Sequence, residues 1–193
     1  MARTLNFRKI ILFVALPFLM LVRTTTALAQ NVIVNGDFEA YNIYGAITSP
    51  SYTDYQRVNA NYVVESGHYV INTTTSGHGG GQGWPMPSNP HGKFMIVNGY
   101  GGNTNPTKVV WRQTVNVTTQ TNYTFSYRYV NLNRVLYGQI RPSKLQVKIN
   151  GIDFGAVNTL PSDNNWHDWN NNGVQWPSGN ATQAMIEIFD TYT

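Results

Sequence analysis

The 193-residue sequence predicts an all-β domain, an antiparallel β-sandwich or jelly roll, behind a short leader. Three observations lead there. Apolar and polar residues alternate in short runs, the period of two that turns one face of a strand into a core. Asn-Gly, Gly-Gly and Pro interrupt those runs where hairpin and corner turns would fall. Helical periodicity is nearly absent.

The elements follow in chain order. Residues 1–29 read as a secretory signal peptide. Arg3, Arg8 and Lys9 form its basic start, residues 10–22 its apolar stretch, and Ala27-Leu28-Ala29 a cleavage site, so the mature chain is expected to begin at Gln30. Thirteen apolar positions fall short of the roughly 20 that span a bilayer, so no membrane insertion is expected after cleavage. Short strands are expected at 32–34 and 93–97. A longer one at 109–117 places Val109, Trp111, Gln113, Val115 and Val117 on one face. Residues 123–130 place Tyr123, Phe125, Tyr127 and Tyr129 opposite Thr124, Ser126 and Arg128. In 144–149, Leu145, Val147 and Ile149 point inward, then Asn150-Gly151 turns the chain into a strand at 152–157. Both central residues of such a turn need positive φ, which makes this the strongest hairpin signal. Ala184, Ile186 and Ile188 mark a further half-buried strand. Residues 73–91, rich in Gly and Pro, and the Asn-rich 164–173 read as long loops.

Charge and cysteine narrow the function classes. Four of the thirteen basic residues (Arg3, Arg8, Lys9, Arg23) lie in the leader, leaving nine basic against nine acidic in 30–193. A neutral domain gives no electrostatic reason to bind nucleic acid. With no cysteine in an exported chain, 30–193 must hold together as one domain by its core, with or without a metal. No catalytic motif emerges. His78-Gly79-Gly80-Gly81 resembles an oxyanion-hole segment, but no G-x-S-x-G accompanies it. The four histidines lack zinc-ligand spacing. The expectation is therefore a non-enzyme.

Aromatic and amide side chains are the abundant chemistry. Residues 30–193 hold 22 Asn, 12 Tyr and all five Trp. Sugar rings present apolar C–H faces that stack on aromatic rings, and Asn, Gln, Asp and Arg hydrogen-bond their hydroxyls. Trp111, Tyr123, Phe125 and Tyr127 share faces with aliphatic neighbours and are expected in the core. Trp84, in the Gly/Pro-rich loop, is the leading candidate for ligand contact. Tyr55, Tyr69, Tyr137 and Trp169 follow it, with Arg128 beside Ser126 as a groove residue. Arg112 and Lys148 read as solvated.

These residues also resemble a known family. Val34-Asn35-Gly36-Asp37-Phe38-Glu39 is similar to the opening strand of galactose-binding-like jelly-roll domains, which include many bacterial carbohydrate-binding modules. Tyr52-Thr53-Asp54-Tyr55, Gly67-His68-Tyr69 and Gly92-Lys93-Phe94-Met95-Ile96-Val97-Asn98-Gly99 follow in order. Next come Val110-Trp111-Arg112-Gln113-Thr114-Val115-Asn116-Val117 and Asn122-Tyr123-Thr124-Phe125-Ser126-Tyr127. Asn150-Gly151 with Gly155, and Trp176-Pro177-Ser178-Gly179-Asn180, complete the series. The resemblance implies a structural calcium, with Glu39 the carried-over ligand and Asp37 the alternative; calcium needs six to eight oxygens, so further ligands are required. Family members usually continue to a closing strand with an Asp-Asp pair, whereas this chain stops at Thr193. A domain lacking its last strand, with an open sheet edge, is therefore expected. The resemblance implies a secreted or cell-surface bacterial protein that binds polysaccharide or cell-surface glycan. The alternative is a structural or adhesive domain that accepts a strand from a protein partner.

Overall fold

The computed structural model describes residues 30–58, 66–74, 92–99, 108–132 and 143–191, and residues 31–193 form one compact unit. Thirteen strands are described: β1 (Ser51–Tyr52), β2 (Gln56–Arg57), β3 (His68–Asn72), β4 (Phe94–Asn98), β5 (Lys108–Asn116), β6 (Asn122–Tyr123), β7 (Tyr127–Tyr129), β8 (Lys144–Ile149), β9 (Ile152–Asp153), β10 (Asn158–Thr159), β11 (His167–Trp169), β12 (Trp176–Pro177) and β13 (Gln183–Asp190). A single 3-10 turn at Asn171–Gly173 is the only helical element among the described residues. The chain is all-β and sandwich-like.

The largest sheet has six strands, ordered β1-β5-β13-β8-β10, with β9 also on β8, and every pairing in it is antiparallel. Alternation explains its core face. Trp111, Val115, Val147, Ile149, Ala184, Ile186 and Ile188 are all buried and pack together. Tyr127, Trp169 and Trp176 from the two small ribbons β7–β11 and β6–β12, and Phe125 from the link between β6 and β7, cover them. A three-stranded sheet, β2-β3-β4, is buried on both faces: Tyr69 and Ile71 join Tyr41 and Tyr55 on one, Val70, Phe94 and Ile96 lie on the other. Its β2–β3 pair is parallel, the exception to an antiparallel expectation.

The Asn-Gly turn forms as its chemistry requires, with Asn150 at φ 52° and Gly151 at φ 79°, and Ile149 facing Ile152. Other expectations are corrected. No strand forms at 32–34, because Val34 pairs with a side chain instead of a backbone. The amide of Gln113, fully buried, accepts the Val34 N–H at 2.8 Å and donates to the Val34 carbonyl at 2.9 Å. The run 123–130 splits into β6 and β7, and 152–157 keeps only two strand residues. The Asn-rich stretch 164–173 is not all loop. It contributes β11, because Trp169 stacks on Tyr127 (5.1 Å) and packs edge-on against Phe125 and Phe154. The last described strand, β13, lies inside the sheet between β5 and β8, and among the described residues β1 and β10 stand at the ends of that sheet. Residues 1–29, expected to be a signal peptide, lie outside the described residues.

Candidate functional site

The outward face of the six-stranded sheet carries one continuous row of polar side chains. Strand register sets it: Tyr52 on β1 faces Arg112 on β5, Arg112 faces Glu187 on β13, Glu187 faces Lys148 on β8, and Lys148 faces Asp153 on β9. Four steps at the roughly 4.8 Å spacing of neighbouring strands make a row of roughly 19 Å. Each of these residues alternates with inward neighbours such as Trp111, Ile186, Ile188, Val147 and Ile149, so the apolar pattern that builds the core also aims the row at the opposite surface.

Neighbours fix each member. Arg112 Nε donates to Glu187 Oε1 at 2.6 Å, and the guanidinium carbon lies 5.2 Å from the centre of the Tyr52 ring. The Tyr52 hydroxyl donates to Asp54 Oδ1 at 2.8 Å, and Asp54 Oδ2 accepts the Val109 N–H. That hydrogen bond, and then the charge of Asp54, hold the Tyr52 phenol above its ordinary range, so it stays a neutral donor. Lys148 Nζ lies 3.5 Å from Asp153 Oδ1 and 5.2 Å from the centre of the Phe189 ring. Glu187 is only 3% exposed, yet Tyr52 is 49% exposed. The result is an open tyrosine ring on a braced base, with cations and carboxylates alternating beside it. Such a surface can stack an apolar ring face on Tyr52 and offer the partly exposed Arg112, Lys148 and Asp153 to hydroxyls, while the buried Glu187 serves only as the brace.

The sequence does not mark this row: Arg112 and Lys148 read as solvated, and Tyr52 stands only within a motif. The available signal was Glu187, a lone acid between Ile186 and Ile188 in an apolar strand, which needs a partner if buried.

The expected ligand-contact residues scatter. Tyr55 and Tyr69 are corrected to core positions at 4% and 3% exposure. Their hydroxyls are satisfied inside: Tyr55 donates to Asp190 Oδ2 at 2.7 Å, and Tyr69 accepts the Ile47 N–H at 2.8 Å. Trp169 is half-buried in the aromatic ribbon, whose Tyr129 stacks on His167 at 5.5 Å. Burial pushes the Tyr127 phenol up to about 12, against the lowering effect of its hydrogen bond with Asn158. Arg128 pairs with Asp168 at 2.8 Å and lies 5.9 Å from the Trp166 ring, on the other side of that ribbon. Trp84 and Tyr137 lie outside the described residues.

Glu39 and Asp37 do not fit a calcium ion as they stand. Glu39 Oε1 accepts the Lys93 N–H at 2.6 Å, and Lys93 Nζ donates to the carbonyls of Glu39 and Tyr41, each at 2.8 Å. Asp37 Oδ1 accepts the Glu39 N–H at 3.2 Å in a local turn. Among the described residues no three His, Asp or Glu side chains gather as a metal site.

No family model matches the chain, nor does any curated protein or solved structure.

Proposed function

We propose that this chain is a secreted, non-catalytic carbohydrate-binding module of jelly-roll type, which contacts polysaccharide or cell-surface glycan on the outer face of its six-stranded sheet. One observation carries the reading. Tyr52 is half exposed while its hydroxyl is tied to Asp54 and Arg112 lies against its ring. A ring held this way loses little freedom when a sugar stacks on it, which favours binding. The row beside it runs across the strands and is long enough to meet several sugar units in succession. Trp84 and Tyr137 remain proposed as additional contacts.

The test is a glycan array on the folded, monodisperse chain. Wild type is expected to bind one glycan class selectively. Tyr52→Ala is expected to weaken that binding about tenfold, the worth of one aromatic contact, with Tm unchanged. A blank array from folded protein refutes the function. Binding that survives Tyr52→Ala but fails in Trp84→Ala refutes the site and keeps the function.

A further inference from the structure

The loop at residues 37–41 is organised around a positive charge, and the charge is a side chain. Three internal hydrogen bonds shape it: the Glu39 N–H to Asp37 Oδ1, the Ala40 N–H to Asn35 Oδ1 at 2.8 Å, and the Tyr41 N–H to the Phe38 carbonyl at 3.1 Å. With those N–H groups engaged, the Glu39 and Tyr41 carbonyls both accept from one atom, Lys93 Nζ, at 2.8 Å. Glu39 Oε2 stands 3.9 Å from the same nitrogen, and the lysine side chain is only 22% exposed. Gly92 makes room. It sits at φ +81°, and a Cβ there would overlap Glu39 Oε1.

We propose that residues 37–41 form an oxygen cage for a cation whose resident is the Lys93 ammonium, so that the chain supplies internally the charge a bound metal would otherwise bring. An ammonium has three donors and no acceptor, and this cage offers two carbonyls and a carboxylate. A calcium ion would need at least six oxygens at about 2.3–2.6 Å, and the centre of this group is already filled. The loop carries Phe38 and Tyr41 against Tyr55, Tyr69 and Ile71, so the cage couples one lysine charge to core packing. Order in the loop is therefore independent of divalent metal, and a vacant cage appears only when the lysine head is removed. This inference stands apart from the glycan reading.

The experiment is thermal unfolding of the full chain with chelator and with millimolar calcium, for wild type, Lys93→Met and Lys93→Ala. Wild type is expected to show the same Tm in both conditions. Lys93→Met keeps most of the apolar stem and loses the charge, and its Tm is expected to fall by roughly 5 °C. Lys93→Ala is expected to fall similarly and to regain at least half the loss in methylammonium or calcium. A wild-type Tm that rises with calcium overturns the proposal, as does Lys93→Met at wild-type stability or Lys93→Ala that neither cation rescues. If Lys93→Ala fails to fold, hydrogen exchange of 37–41 in wild type decides. Protection unchanged by calcium supports the internal cation, and protection gained with calcium overturns it.

Discussion

Removing the charge of Glu187 tests the polar row at its centre. The carboxylate is 3% exposed and accepts from Arg112 Nε at 2.6 Å, while the Arg112 side chain is 35% exposed. A hydrogen bond involving a charged group contributes about 1.5–3 kcal/mol, and a fully exposed ion pair only about 0.2–1 kcal/mol. One partner here is buried and the other a third exposed, so a coupling energy of about 1–2 kcal/mol is expected between these limits. Urea unfolding of wild type, Glu187→Gln, Arg112→Met and the double variant measures it as a double-mutant cycle. The m value should stay constant, which keeps the comparison within two-state unfolding. Glycan binding should fall in both single variants at temperatures where they are folded, because Arg112→Met removes the contact against the Tyr52 ring and Glu187→Gln weakens the hold on Arg112 that fixes it. A coupling energy below about 0.3 kcal/mol would place the pair among ordinary surface contacts and refute the claim that Glu187 braces the site.

Gln113→Leu should cost about 2–3 kcal/mol, since it strips hydrogen bonds from Val34 and from Ser51 Oγ, which the Gln113 amide reaches at 2.9 Å. Faster hydrogen exchange at Val34 would accompany the loss, and unchanged exchange there would contradict the pairing. The Asp163 carboxyl is lowered from 3.8 to about 2, first by its hydrogen bond to His167 and then by the Asn165 N–H. A carboxyl whose folded pKa is depressed stabilises the fold above its unfolded pKa, and that contribution disappears as pH falls from about 4 through about 2. His167→Ala should bring the Asp163 titration, followed by carbon-detected NMR, back toward 3.8. An unmoved titration would show that His167 is not the cause.

What was legible in the sequence is what local chemistry decides. The buried alternation of β5 and β13 and the Asn150-Gly151 turn depend on side-chain period and on backbone φ, both properties of neighbouring residues. Val32–Val34 has the composition of a strand, but its partner is the Gln113 side chain, 79 positions away in sequence. The strand β11 has no aliphatic alternation, and Trp169 earns its place through rings on β7 and near β9. Tyr55 and Tyr69 show why tyrosine is a poor sequence marker for a ligand face. Its ring favours burial as strongly as stacking, and the choice depends on whether a distant group satisfies the hydroxyl. Here Asp190 and the Ile47 N–H do so.

The site was hidden for a related reason. Aromatic abundance pointed to Trp and Tyr generally, yet the densest aromatic group, Phe125, Tyr127 and Trp169, packs against the core of the six-stranded sheet. A sugar cannot stack on faces already in contact with other rings. Tyr52 lies on the opposite side of that sheet, and its place beside Arg112 and Glu187 follows from register between strands far apart in the chain. Within the row, Arg112 is matched by Glu187 and Lys148 by Asp153. The row therefore carries no net charge, in keeping with the balance of nine basic and nine acidic residues over 30–193. Attraction for an acidic polymer is weak on such a surface. Under the proposed glycan-binding function, discrimination would rest on how the fixed donors and acceptors match the hydroxyls of a neutral glycan, the kind of selectivity that a rigid sheet face supports better than a loop.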